Sequence, residues 1–116
     1  MKTARTASIP NGASVSNVID INIEVPVGFI APAAWTTAAL NVEVSMDGNQ
    51  WSTPGLFDST GTAASSWSSL TAGAFYAFDP VQMLAWNYLR LRSGTYASQV
   101  NQGADRAFII ASRRIA

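Results

Sequence analysis

Apolar and polar residues alternate along two stretches of the chain. Residues 18–25 carry Ile or Val at every second position from 19 onward, with Asp, Asn and Glu between them. Residues 40–45 repeat the pattern with Leu and Val. A period of two is the mark of a strand with one face in the core and the other in water. We therefore predict a strand over each stretch, the first ended by Pro26 and Gly28.

Weaker patterns predict the other elements. Asp47 and Gly48, between the second strand and residues 51–57, form the dipeptide most typical of a hairpin turn. Pro54 marks the returning segment as an edge strand or a bulge. The remaining predictions are a Ser/Thr/Ala/Gly-rich loop or poor edge strand at 58–73, strands at 74–78, 88–93 and 107–111, a helical turn at 81–86, and a polar loop at 94–103.

Six or seven short strands separated by turns, without a convincing long helix, predict the fold class. We expect an all-β, single-domain antiparallel β-sandwich, jelly-roll-like, with an extended N-terminal arm. The arm is predicted over residues 1–14 and the sandwich over 15–116. A chain of 116 residues has room for one domain with a real core.

Both ends of the chain are predicted to lie outside the core. Residues 1–14 are small and polar and contain a turn signal at 9–12, and residues 112–116 form a basic tail. We expect a neighbouring subunit to hold the arm. The basic residues of the two ends are candidates for that contact: Lys2, Arg5, Arg113 and Arg114.

The charge composition favours contact with other subunits over contact with nucleic acid. Only 12% of the residues are charged, and the formal net charge is zero. Such a chain is either a β protein coated with Ser, Thr and Asn or a subunit whose surface is covered by neighbours. Six of the seven acidic residues lie between Arg5 and Arg90, so the ends are basic and the middle acidic. No dense basic stripe supports nucleic-acid binding.

The residue types needed for most catalysis are absent. The chain has no histidine and no cysteine, which excludes Ser-His-Asp and Cys-His sites and the usual zinc sites. Three carboxylates could in principle flank a glycosidic bond, but each has a turn-forming reason for its position: Asp47, Asp58 and Asp79. The segment at 47–49 lacks the full calcium-loop spacing. We predict no enzyme activity, no metal and no cofactor.

Residues 25–42 are uncharged over a membrane-spanning length, but Pro26 and Pro32 interrupt them. We predict no membrane contact and no signal peptide, because no apolar run follows the basic residues of the N-terminus.

The four tryptophans fall into two groups by their position in the sequence. Trp51 and Trp86 adjoin strands and are predicted in the core. Trp35 and Trp67 lie in loop-like stretches and are predicted at an interface.

Two segments carry a resemblance to a known fold family. Residues 42–51 read Val-Glu-Val-Ser-Met-Asp-Gly-Asn-Gln-Trp, and residues 88–92 read Tyr-Leu-Arg-Leu-Arg. A strand, an Asp-Gly turn, a tryptophan and a later Tyr-x-Arg strand resemble the discoidin-type, galactose-binding-like jelly roll. The resemblance implies the fold more than any ligand, since this chain is short for that family and lacks its cysteines.

A second resemblance extends over most of the chain from Ile30 onward. It is carried by Pro-Ala-Ala-Trp-Thr-Thr-Ala at 32–38, the Ser-x-Asp-Gly turn, Asp-Pro at 79–80, Leu-Arg-Leu-Arg-Ser-Gly-Thr at 89–95 and Val-Asn-Gln-Gly-Ala-Asp-Arg at 100–106. These strings are similar to small structural proteins of tailed bacteriophages. The resemblance implies a structural virion protein, and most specifically a capsid decoration or cement protein that bridges neighbouring capsid subunits.

On that resemblance, the expected partners are the major capsid protein and copies of the chain itself, as a dimer or trimer. The expected location is the capsid surface, after synthesis in the host cytoplasm. The candidate capsid or intersubunit contacts are Lys2, Arg5, Trp35, Trp67, Arg113 and Arg114. The alternatives are a carbohydrate-binding or adhesion module of a tail or fibre, which needs an exposed aromatic platform, and a head–tail connector component, which should form rings.

Overall fold

The computed structural model describes residues 2–52, 66–78, 80–95 and 97–114. Within them lie eight strands and one short helix. In chain order the elements are β1 (Lys2–Ile9), β2 (Ile19–Asp20), β3 (Glu24–Ile30), β4 (Leu40–Ser45), β5 (Ser66–Trp67), β6 (Phe75–Ala77), α1 (Pro80–Met83), β7 (Tyr88–Ser93) and β8 (Arg106–Arg114).

The strands form two four-stranded antiparallel sheets. The first sheet has the order β1-β8-β3-β6 and the second sheet has the order β2-β7-β4-β5. The chain changes sheet at almost every connection, so only β4 and β5 are neighbours both in sequence and in a sheet. This is the connectivity of an eight-stranded jelly roll. The predicted all-β antiparallel sandwich is confirmed.

The core lies between the two sheets and is centred on Phe29 of β3, which is fully buried. Its ring contacts four other aromatic rings, at centroid distances of 5.0 Å to Trp67, 5.2 Å to Tyr76, 5.7 Å to Phe108 and 5.8 Å to Phe78. Trp67 belongs to the second sheet, whereas Phe29, Tyr76 and Phe108 belong to the first. The ring cluster therefore joins the sheets through buried apolar area and favourable ring geometry.

Two predicted strands form the centre of the second sheet. β4 covers residues 40–45 and β7 covers residues 88–93, with the predicted boundaries. They pair antiparallel with Val42 opposite Leu91, and both of these side chains are fully buried. The alternation that predicted the strands therefore also identified their core face.

The Asp-Gly turn after β4 is also confirmed. Gly48 has a φ of +81°, which a residue with a side chain rarely adopts. The Asp47 carboxylate accepts the backbone N–H of Asn49 at 2.8 Å and that of Gln50 at 2.9 Å. These bonds hold the pKa of Asp47 below its usual range. The chain returns to β4 through a bridge at Ser52, and the rest of the predicted strand at 51–57 lies outside the described residues.

The predicted strand at 18–25 is instead two strands in different sheets. β2 ends at Asp20 in the second sheet, and β3 begins at Glu24 in the first. Between them the Asp20 carboxylate accepts the backbone N–H of Asn22 at 2.9 Å, and Ile23 is 43% exposed. Asp and Asn favour turns because their side chains bond the backbone two residues on. That local signal outweighs the apolar alternation.

Pro26 and Gly28 do not end a strand, because both lie inside β3. The register against β8 shifts between them as at a β-bulge, where the missing N–H of a proline is tolerated. Val27, between them, accepts the backbone N–H of Phe78 at 2.9 Å. The bulge thus ties β3 to the segment that follows β6.

The predicted N-terminal arm differs most from the structure. Lys2–Ile9 is the edge strand β1, paired with β8 over its whole length from Lys2 opposite Arg113 to Ile9 opposite Arg106. Ala7 and Ile9 are fully buried. The chain's own sheet therefore holds this segment in place, and the structure gives no separate arm over residues 2–14.

The C-terminal half departs from prediction in smaller ways. The last strand runs to Arg114, so residues 112–114 are strand rather than tail. In the weak segment at 58–73, Ser66–Trp67 forms an edge strand and the part before it lies outside the described residues. The strand at 74–78 is confirmed as β6, and the helical turn is confirmed as α1, one residue early.

We expect Phe29→Ala to lower the free energy of unfolding by about 3–5 kcal/mol, because it removes the central ring and leaves a cavity. Phe75→Ala is the matched control: Phe75 is 55% exposed, so its loss should cost about 1 kcal/mol or less. Urea denaturation followed by tryptophan fluorescence measures both variants. Equal losses would show that the core is not organised around Phe29.

Candidate interaction surface

The outer face of the first sheet carries two rows of side chains that cross all four strands. The strand register places them side by side. The bulky row consists of Thr6, Ile109, Ile30 and Phe75. The small row consists of Ala4, Ala111, Gly28 and Ala77. Ser8 and Ala107 pair beyond the bulky row. We call these ten residues the sheet face; none of them is charged.

Six of the ten residues of the sheet face are exposed, three are half-buried, and Gly28 is buried. Phe75 is 55% and Ile109 45% exposed, and Ala4, Thr6 and Ala77 are also exposed. Four strands about 4.8 Å apart, over about five residues of 3.4 Å, give a face of roughly 300 Å². Apolar patches of this size on a folded domain are often functional. The sheet face is therefore the best candidate for an interaction surface.

Among the described residues, charges lie only at the two ends of the sheet face. Arg113, four residues beyond Ile109 on β8, is exposed at one end, where it pairs with Lys2. Asp105 is exposed at the other end, just before β8, and its carboxylate accepts the backbone N–H of Asn11 at 2.8 Å. The face thus has a basic end, an uncharged middle and an acidic end.

Gly28 leaves room for the Phe75 ring on the sheet face. The Phe75 ring of the neighbouring strand lies across it, so close that an added Cβ would be 2.3 Å from that ring and 2.5 Å from the Tyr76 carbonyl oxygen. No side chain fits there without moving both neighbours. An aromatic ring that lies over a glycine on the next strand covers backbone that the glycine would leave exposed.

The outer face of the second sheet is built differently, around a buried ion-pair cluster. Glu43 of β4 accepts hydrogen bonds from Arg92 at 2.6 Å and from Arg90 at 2.7 Å. Both Glu43 and Arg92 are less than 5% exposed. The Gln99 side-chain oxygen accepts a further bond from Arg92 at 2.7 Å, and the Arg90 guanidinium lies 4.2 Å from the ring centre of Trp51.

This ion-pair cluster joins the segments that carry the jelly-roll resemblance, and it fastens them together. Burial raises the pKa of Glu43, but the hydrogen bonds and charges of Arg92 and Arg90 outweigh it, so the pKa lies below its ordinary value. Because charged partners surround the carboxylate, we assign the cluster a structural role. The polar positions 41, 43 and 45 were predicted to face water, and the structure buries all three.

A second polar network holds the loop around Thr36. Gln102 is 1% exposed; its amide donates to Ser93 at 2.8 Å and to the Thr36 carbonyl at 3.1 Å. Its oxygen accepts the Thr36 N–H at 2.9 Å and Arg106 Nε at 3.1 Å. The predicted polar loop at 94–103 therefore supplies a buried anchor that the sequence did not indicate.

The structure places the predicted aromatic contacts in the core. Trp67 packs edge to face on Phe29, and Trp35 packs on Phe108 at 5.4 Å and donates its indole N–H to the Ala38 carbonyl at 3.1 Å. Both rings are only partly exposed. Large apolar rings anchor weakly structured segments, which explains why they occur there without forming a surface platform.

The basic contact candidates gather at one end of the first sheet. Arg113 and Arg114 are exposed at the end of β8. Lys2 is opposite Arg113 in the register. Arg5 bonds Glu24 of the same sheet at 3.2 Å and is 41% exposed. The structure therefore brings four predicted residues together, but it does not show what they contact.

Sequence reasoning missed the sheet face itself. The available signal was the run Ala107-Phe108-Ile109-Ile110, which is apolar on both faces of a strand. Only one of these faces lies in the core: Phe108 and Ile110 are fully buried, and Ile109 is exposed. An apolar run of this kind predicts a strand covered on both sides.

The other candidate chemistry gains no site. Among the described residues, no group of three or more acidic side chains is placed to hold a metal ion. Asp47 belongs to the turn after β4, and Asp58 and Asp79 lie outside the described residues. In the part of the chain that the structure describes, no helix has the length and hydropathy needed to cross a membrane.

The fold and the sheet face define an eight-stranded jelly-roll sandwich with one uncharged outer face. No protein-family model matches the chain, and no curated protein matches it. The crystal structure of the SPBc2 prophage-derived protein YomS is similar over 97% of this chain and 94% of that chain, with a TM-score of 0.59 and 10% sequence identity. At this identity the likeness shows the shared fold alone.

We expect Glu43→Gln to lower the free energy of unfolding at neutral pH by about 3 kcal/mol or more, because it leaves two arginines without their carboxylate. The folded-state pKa of Glu43 is depressed. Its stabilisation is therefore complete above the ordinary value of 4.5 and is lost as the pH falls through the folded-state value.

The variant should consequently lose less stability than the wild type between neutral pH and the acid range. Urea denaturation at a series of pH values measures this difference. Asp20→Asn, which changes an exposed carboxylate, is the control and should follow the wild type. Parallel pH profiles for Glu43→Gln and the wild type would contradict the role of the ion pair.

Proposed function

We propose that the chain is a structural protein of a tailed-phage particle, most specifically a capsid decoration or cement protein. The observation that carries the proposal is the sheet face: a largely exposed, uncharged surface on a folded domain. Such a surface suits permanent contact with other subunits. Arg113 and Arg114, exposed beside it, suit register-setting contacts with acidic surfaces of a neighbour.

Two further observations support a phage particle. Eight-stranded jelly rolls recur in viral capsid proteins and in lectin domains. The structurally similar YomS is a prophage-derived protein, and the sequence strings quoted above are similar to small phage structural proteins. Fold likeness does not fix function, so the proposal depends on the sheet face together with those strings.

The carbohydrate-binding alternative has less support from the side chains. It needs aromatic rings arranged as an exposed platform. Trp35 and Trp67 instead pack against the core, and Trp51 lies against Arg90. Phe75 remains as an exposed ring on the sheet face, but it lies in an apolar row without the polar groups that orient a sugar. A glycan array tests this alternative directly.

The copy number of the chain in purified particles distinguishes the structural roles. Quantitative mass spectrometry should give a number comparable with that of the major capsid protein, because a cement protein repeats over the whole shell. A copy number that is a small fraction of the capsid protein's would instead assign the chain to a connector, tail or fibre. Absence from the particle would refute the virion role and favour the carbohydrate-binding module.

A cement role also predicts the phenotype of particles that lack the chain. Heads assembled without it should release their DNA at a lower temperature than wild-type heads, because bridging contacts between capsid subunits are missing. Adding the purified protein back should restore the release temperature, since many weak contacts on a closed shell sum to strong binding. Release temperatures unchanged by both treatments would contradict cementing.

A further inference from the structure

On β1 and β8 the sheet face is complementary in shape to itself. The bulky row and the small row run side by side, two residues apart on each strand. Consider a second copy turned end for end about a twofold axis that runs parallel to the rows and between them. The bulky row of each copy then lies on the small row of the other. Ile109 meets Ala111 of the second copy, and Thr6 meets Ala4.

The same rotation gives a different contact at the Phe75 side of the face. Ile30 of one copy lies above Gly28 of the other, where the Phe75 ring covers the glycine. The ring fills the space above Gly28, so at this position the isoleucine packs on the ring and does not enter the small row. Sheets pack face to face about 10 Å apart when interdigitating side chains fill the gap, as they do here on β1 and β8.

Charge selects the orientation of the second copy. End-for-end stacking brings Arg113 of each copy close to Asp105 of the other, since these residues mark opposite ends of the face. Stacking with the strands in the same direction would instead place the two Arg113 side chains together. Opposite charges at the rim of an apolar interface set its register, and like charges exclude the alternative.

We propose that the sheet face binds a second copy of the chain, as a face-to-face dimer with twofold symmetry. The face offers roughly 300 Å² per copy, which is well below the ~800 Å² per partner of a standard interface. The dimer is therefore weak in solution and forms where copies are concentrated. We infer it from the sheet face alone, whether or not the chain is a virion protein.

Sedimentation velocity of the purified full chain, from about 10 μM to about 1 mM, measures the dimer. The wild type should shift from monomer to dimer within this range. Ile109→Asp places a charge in the middle of the face and should raise the dissociation constant at least about tenfold. Ile23→Asp is the matched control, because Ile23 is 43% exposed against 45% for Ile109 and lies outside the face.

A charge exchange tests the orientation. Arg113→Glu and Asp105→Arg should each weaken the dimer at low salt, and the double variant should recover most of the wild-type affinity. High salt should reduce these differences, because exposed charges are screened. Thermal unfolding of every variant checks that the fold is retained. Failure of the double variant to recover would refute end-for-end stacking.

A wild type that stays monomeric to about 1 mM would overturn the dimer, as would a dimer that Ile109→Asp leaves unchanged. Incorporation into particles is measured separately for the same variants. If protein that does not dimerise is still incorporated into particles, but the Ile109→Asp variant is not, the occupant of the face is a capsid subunit and not a second copy. If the dimer forms but particles lack the chain, the dimer stands and the virion role fails.

Discussion

The contact of Phe29 with rings from both sheets is the interaction on which the sandwich depends. Phe29 meets Trp67 of the second sheet at 5.0 Å and Tyr76 of the first at 5.2 Å. Because neighbouring residues of a strand point to opposite faces, a buried Phe29 forces Gly28 and Ile30 outward. The strand register gives β6 and β8 the matching alternation of inward and outward side chains. The core contact therefore also determines which residues form the sheet face.

How far the sequence predicts the fold depends on where each strand finds its partner. β4 and β7 were predictable because their apolar residues alternate along the core face and a strong turn signal closes β4, although the structure also buries the polar positions of β4. The stretch at 18–25 was wrongly predicted as one strand. Its alternation of apolar and polar residues is the same for one strand and for two strands joined by a tight turn. β1 was not predicted because its residues are small and polar. Its partner strand β8 also lies at the far end of the sequence, with Arg113 opposite Lys2.

The candidate interaction surface was harder to predict than the fold. The low charge of the chain pointed to covered surface but did not locate it. Locating it required the register, which brings Thr6, Ile30, Phe75 and Ile109 into one row from four separate parts of the sequence. The loop-like sequence around Trp35 and Trp67 suggested exposure, whereas the structure packs both rings, partly buried, against the core.

The energetics of the sheet face explain why such a surface suits a repeated assembly. Covering two faces removes less than roughly 600 Å² from water, because Gly28 is already buried and Ile30 and Ala111 are already partly covered. Association costs on the order of 4–15 kcal/mol in lost freedom of motion. One pair of faces therefore gains little on its own. Where neighbouring contacts already hold the copies in place, most of that cost has been met, and the same face contributes nearly its full burial energy.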